Sequence, residues 1–109
     1  MIAETLFLLL VGHALADFPL QGDFLAQAKD RHSAIGEKVW PEALTAHALI
    51  HGGAVFVVTG SLVLALAETV VHAAIDFAKC EKLISFRQDQ LLHILCKCLW
   101  VAALAAGVS

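Results

Sequence analysis

Four pairs of ionisable residues recur at a spacing of four: His13 and Asp17, His47 and His51, His72 and Asp76, Asp89 and His93. Residues at i and i+4 share one face of an α-helix, about 6 Å apart, so each pair can address one metal ion or two adjacent ions. Of the six histidines only His32 falls outside the set. Five imidazoles and three carboxylates exceed the needs of one tetrahedral ion. They suit a two-metal centre, with ions about 3.5 to 4 Å apart and a bridging water. Imidazole and carboxylate ligands suit zinc first, with iron or manganese as alternatives. Some members of the set can serve behind the ligands instead, as an Asp that orients a metal-bound His does. The competing explanation is a metal-free network in which His–Asp hydrogen bonds tie helices together.

The elements that must position these pairs follow from composition. The chain has 109 residues, 60% of them hydrophobic and only 16% charged, against about 25% charged in an ordinary soluble domain. A soluble chain this short buries only about two-thirds of its surface, so the apolar excess points to lipid. Disorder, a collagen-like repeat and a basic nucleic-acid binder are excluded by the aliphatic content, the lack of a Gly period and a net charge of -3. Cys80, Cys96 and Cys98 are an odd number without a C-x-x-C pair and give no disulfide framework.

Four apolar segments, about 2–20, 41–60, 61–79 and 88–107, are each near the length needed to cross a bilayer. They contain no strand-like alternation, so the predicted fold is all-α: one domain over 1–109, a four-helix transmembrane bundle. Pro41 suits the first turn of its helix and Trp40 an interfacial anchor. Thr59, Gly60 and Ser61 make a tight hairpin between the second and third helices, and Gly52, Gly53 and Gly60 allow close helix contacts. The first connection, 21–40, carries Phe24, Leu25 and Ala28, which suit a short interfacial segment. All Lys and Arg residues except Lys97 lie in or beside the two connections 21–40 and 80–87. The positive-inside rule then predicts a multi-pass protein of the bacterial inner membrane with both termini outside. Ala14-Leu15-Ala16 resembles a signal cleavage site, but Glu4 stands where a positive n-region belongs, so a retained first helix is expected.

Counting inward from the loop-side ends gives the depths. Asp17 and Asp76 lie roughly 4 to 5 Å in and Asp89 about 1 to 2 Å; His13, His47, His72 and His93 lie roughly 7 to 11 Å in, and His51 about 15 Å. All four pairs thus reach one layer. Ionisable groups inside membrane helices are expensive and mark function. The matched depth of His13, His47, His72 and His93 makes them the expected principal ligands, with Asp17, Asp76 and Asp89 as rim carboxylates available for proton transfer. Gln21, Asp23 and Gln90 gather at the mouth. Lys79 there suits an anionic substrate group or a lipid phosphate. Glu68 and Lys97 extend the same faces deeper and are expected to form a buried ion pair, Glu68 being alternatively a further ligand or base. Cys80, four after Asp76, is a further thiolate candidate or an unremarkable loop cysteine.

The runs His13-Ala-Leu-Ala-Asp17-Phe18-Pro-Leu-Gln21, His47 with His51, His72-Ala-Ala-Ile-Asp76-Phe-Ala-Lys79 and Phe86-Arg-Gln-Asp89-Gln90-Leu-Leu-His93 resemble the domain of unknown function 3307 family. That family comprises small bacterial and phage-encoded integral membrane proteins, and the resemblance spans nearly the whole chain. It implies a membrane location and supplies no activity. A looser similarity, in architecture and in His and Asp placed within helices, is to membrane-bound metal-dependent hydrolases. The expected function is a metal-dependent membrane hydrolase acting on a lipid-like or phosphorylated substrate at the cytoplasmic face. The alternatives are a membrane di-iron oxidase and a non-enzymatic metal-binding, structural or channel-like protein, with homo-oligomers allowed. No nucleic-acid partner is expected.

Overall fold

The computed structural model describes residues 1–109. It contains five helices and no strand: α1 (Ile2–Asp17), α2 (Gly22–Ala28), α3 (Gly36–Thr59), α4 (Leu62–Cys80) and α5 (Phe86–Ala105). The four long helices run up and down in the ring order α1, α3, α4, α5, each packed on its two neighbours, and α2 lies against α3. The bundle is 44 Å long and 22 by 21 Å across.

Local chemistry sets the boundaries. α1 stops at Asp17 rather than continuing to residue 20, because Phe18 precedes Pro19 and a residue before proline avoids the helical region. The chain then bends by 81° into α2. α3 begins at Gly36, earlier than the expected residue 41, and Pro41 lies inside it. The Gly36 N–H donates to Ser33 Oγ at 2.9 Å, which starts the helix. The carbonyl that Pro41 leaves without a donor belongs to Glu37, an exposed residue of the first turn. Gly60 closes α3 with φ +70°, a left-handed cap that favours glycine. Ser61 then caps α4 by accepting from Leu64 N at 3.1 Å. At α5, Ser85 and Gln88 form a reciprocal capping box, which starts that helix at Phe86 instead of residue 88.

The core has two halves. Leu9, Val55, Leu64 and Val101 form an apolar cluster at the end that holds the α3–α4 turn. Towards the other end the interior is polar. Eleven of the 25 buried residues are polar or charged, among them five histidines, three acidic residues and two lysines. Large apolar side chains face outward instead, with Val57 85%, Val70 70% and Phe7 65% exposed. α3 alone is long and apolar enough to cross a membrane, at a mean hydropathy of 1.3, and α1 with α2 passes as one bent span. α4 and α5 carry Glu68, Asp76, Asp89 and Lys97 on their inward faces, and a test by composition counts such charges without regard to the face they occupy.

Candidate metal centre

Each long helix contributes one stripe. α1 supplies His13 and, at its last residue, Asp17; α3 supplies His47 and His51. α4 presents Glu68, His72 and Asp76 at successive turns, and α5 presents Asp89, His93 and Lys97 in the same way. The i,i+4 spacing that aligns each stripe also aims all of it at the bundle axis. The imidazoles of His51 and His72 stack at 3.6 Å between centroids, and those of His72 and His93 at 4.1 Å.

Asp17 is the point of convergence. Its Oδ1 accepts from His51 Nε2 at 3.0 Å and His47 Nε2 at 3.2 Å. Its Oδ2 accepts from Gln90 Nε2 at 2.8 Å. Ligand-type atoms of Asp17, His47, His51 and His72 all lie within 4.8 Å of one another. Ligands held 2.0 to 2.1 Å from a tetrahedral ion stand about 3.3 Å apart, so the two His–Asp separations match a shared coordination sphere in which an ion would take the place of the two Nε2 protons. A second group, Glu68, His72 and His93, meets the same 4.8 Å limit and shares His72 with the first. Both groups can hold a metal ion.

The tautomers follow from the carboxylates, which only accept. Glu68 Oε2 lies 3.2 Å from His72 Nδ1, so that nitrogen carries the proton and Nε2 presents its lone pair. His72 Nε2 is buried with no hydrogen-bond partner. His93 donates from Nε2 to Asp89 Oδ1 at 3.1 Å, leaving buried Nδ1 in the same condition. Gln90 donates its amide to Asp17 and, at 3.2 Å, to Asp89, so its Oε1 accepts from His13 Nε2 at 3.1 Å. Buried polar atoms nearly always find partners, and a lone pair on a carboxylate-oriented imidazole is what a metal site supplies to its ion.

Charge points the same way. Glu68 is neutralised by Lys97 at 2.8 Å and also accepts from Trp100 Nε1 at 2.8 Å. Asp76 is neutralised by Lys29 at 2.6 Å and Lys79 at 3.2 Å. Asp17 and Asp89 pair only with histidines and have no lysine or arginine within 4.0 Å. Two carboxylates without a fixed counter-charge are what a divalent cation would balance.

The expected set is therefore gathered but divided. Asp17, His47, His51 and His72 converge, and His93 and Glu68 stand behind His72. His13 is at the same depth but turned to Gln90, outside both groups. Asp76 and Asp89 also lie outside both, the first held by lysines and the second by His93 and Gln90. Gln21 donates to the Asp17 carbonyl at 2.9 Å and does not touch the cluster with its carbonyl oxygen, which is unpartnered. Lys79 points at Asp76. Cys80 is buried, a free thiol outside either group.

Two participants carry no signal in the sequence. Lys29 lies in a connection rich in charge, and nothing in its neighbours marks it for burial. Trp100 reads as one more apolar residue of α5. A further contact joins the two connections: Arg31 donates from Nε to Glu81 at 2.8 Å, and His32 Nε2 lies 2.7 Å from the same oxygen. Arg31 Nη2 donates to the other oxygen, making the pair bidentate. His32, excluded from the metal set by its position, is thus engaged elsewhere.

Fold and site together define a small all-α bundle whose interior concentrates histidines and carboxylates able to hold a metal ion. The chain belongs to the family described as "Protein of unknown function (DUF3307)", whose model matches residues 5–107. No curated protein and no solved structure matches it.

Proposed function

We infer that the chain is an integral membrane protein that binds one divalent transition-metal ion, zinc first, through Asp17, His47, His51 and His72. The observation that carries this reading is the convergence of those four residues within 4.8 Å. It is supported by the unpartnered Nε2 of His72, aligned from behind by Glu68.

Membrane insertion as a four-helix bundle is supported by the inverted distribution of side chains, charges inside and large apolar groups outside. The bundle length of 44 Å also suits a bilayer with its headgroups, about 40 to 45 Å. The concentration of Lys and Arg in the two connections favours the cytoplasmic side for them and the outside for both termini.

Metal-dependent hydrolysis of a lipid-like or phosphorylated substrate is the second reading. Asp89 and His93 favour it: they form a hydrogen-bonded acid–base pair beside the ligands, outside the four-residue group. The ion would supply Lewis acidity and a water of lowered pKa.

Anaerobic purification followed by elemental analysis tests the reading. One zinc per chain supports metal binding, iron in its place moves the chemistry towards oxidation, and no metal leaves a structural polar network. A panel of phosphoester, ester and amide substrates with the zinc-loaded protein in lipid then tests hydrolysis.

A further inference from the structure

The metal reading assigns one ion per chain, yet two groups of ligand-type residues are present. Glu68, His72 and His93 are buried and as tightly gathered as the first group. A lysine sets them apart. Lys97 lies one turn beyond His93 on the same face of α5, and its Nζ sits 2.8 Å from Glu68 Oε1. The side chain is 2% exposed. Beyond it, Val101 joins the apolar cluster of Leu9, Val55 and Leu64, so the ammonium has no aqueous region within reach on that side.

We propose that Lys97 is a tethered cation occupying the role of a second metal ion, and that it fixes the centre at one ion per chain. This rests on the metal reading above. A carboxylate and two imidazoles make a partial donor set for zinc, to which His72 would contribute Nδ1 once that nitrogen gave up its proton, its Nε2 belonging to the first group. A metal bonded to Glu68 at about 2.0 to 2.2 Å would share the carboxylate with an ammonium in a poorly screened interior, where two cations repel strongly. The lysine neutralises Glu68, Glu68 accepts the proton on His72 Nδ1, and His72 keeps its Nε2 for the first group. Asp17 has no lysine, and there the cation must come from outside the chain.

The test counts zinc in the full chain, purified in detergent, saturated with zinc and freed of excess. Wild type, Lys97→Met and the double variant Lys97→Met/Glu68→Gln are compared. The expected stoichiometries are one, two and one. Lys97→Met is also expected to gain more in melting temperature from zinc over chelator than wild type does, because Glu68 then depends on the ion. One zinc in Lys97→Met overturns the proposal, and so do two in the wild type. Aggregation of Lys97→Met even in zinc, while the double variant folds, overturns it as well, because no ion has then replaced the ammonium. Absence of zinc from wild type and both variants removes the metal reading itself, and the proposal with it.

Discussion

Lys29 and Asp76 meet across the mouth of the bundle, Nζ to Oδ2 at 2.6 Å, with both side chains 2% exposed. The contact pins the first connection over the polar cluster, because His47 Nε2 lies 3.6 Å from the same oxygen. Lys79 stands 3.2 Å from the other oxygen. Two ammonium groups beside one carboxylate balance the charge of Asp76 without a metal, although its Oδ1 has no hydrogen-bond partner, and this charge balance separates it from Asp17 and Asp89.

Lys29→Met should therefore destabilise the protein. Removing one partner of a buried pair typically costs about 3 to 5 kcal/mol. Lys79 remains beside Asp76, so a loss near the lower end, about 3 kcal/mol, is expected. Lys29→Met/Asp76→Asn should recover most of it, since no carboxylate is then stranded. Denaturant unfolding in detergent measures both. A double variant as unstable as the single one would show that packing of the first connection, not the charge, is what Lys29 supplies.

Gly52 and Gly53 are adjacent on α3 and should respond in opposite directions. A Cβ on Gly52 would stand 2.0 Å from Thr69 Oγ1 and 2.8 Å from the Ala65 carbonyl, so α4 must move to admit it. Overpacking of this kind costs about 1 to 3 kcal/mol. A Cβ on Gly53 meets nothing within 4 Å, and Gly53→Ala should stabilise by up to about 1 kcal/mol through helix propensity. Melting temperatures of the two single variants check this. Equal responses would contradict the close approach of α3 and α4 at Gly52.

The sequence made depth legible but not rotation about each helix. Spacing of four put His13 and Asp17 on one stripe, and Asp17 reaches His47 and His51 as that stripe implies. The ring of His13, at matched depth, hydrogen-bonds Gln90 where α1 meets α5, and its Nε2 stays 3.5 Å from Asp17 Oδ2, outside the four-residue group. The pairing of Glu68 with Lys97 could be read from two stripes extended by one turn. Lys29 could not be read at all, since its burial depends on a fold-back that begins with the bend at Phe18 and Pro19. The early start of α3 was hidden for a related reason: Glu37 and Lys38 read as loop, and the serine that starts the helix, Ser33, lies three residues ahead of it. Composition understated α4 and α5, because a count of charges does not show that Glu68, Asp76, Asp89 and Lys97 face inward.

The contact between the two connections should have a defined acid limit. Arg31, hydrogen-bonded to Glu81, holds its carboxyl down at about 2 against an ordinary 4.5, with His32 contributing. A carboxylate whose pKa is depressed on folding stabilises fully above its unfolded value and loses that contribution as pH falls through the folded one. The clasp should therefore stay closed at pH 5 and above and open between about 4.5 and 2. Hydrogen exchange of the amides of residues 30–36, corrected for the intrinsic rate, reads this directly. Glu81→Gln should already exchange fast at pH 7. Unchanged protection in that variant would mean that the clasp does not hold the connection.

The last prediction separates ligands from neighbours. Asp17, His47, His51 and His72 form the converging group, whereas His13 and Asp89 lie in the same layer outside it. Asp17→Asn and His72→Ala should each lose zinc, since the first removes the anionic donor and the second an unpartnered lone pair. His13→Ala, Asp89→Asn and His32→Ala should retain full stoichiometry. Glu68→Gln should occupy a middle position: it weakens the acceptor behind His72 Nδ1, and loss of such a group typically lowers affinity about 10- to 100-fold. The same change strands Lys97, so its fold must be checked by melting before affinity is compared. Competition with a chromophoric zinc chelator gives the affinities and elemental analysis the stoichiometries. A loss of zinc in His13→Ala equal to that in His72→Ala would mean that depth, not rotation, selects the ligands, and the four-residue assignment would have to be replaced.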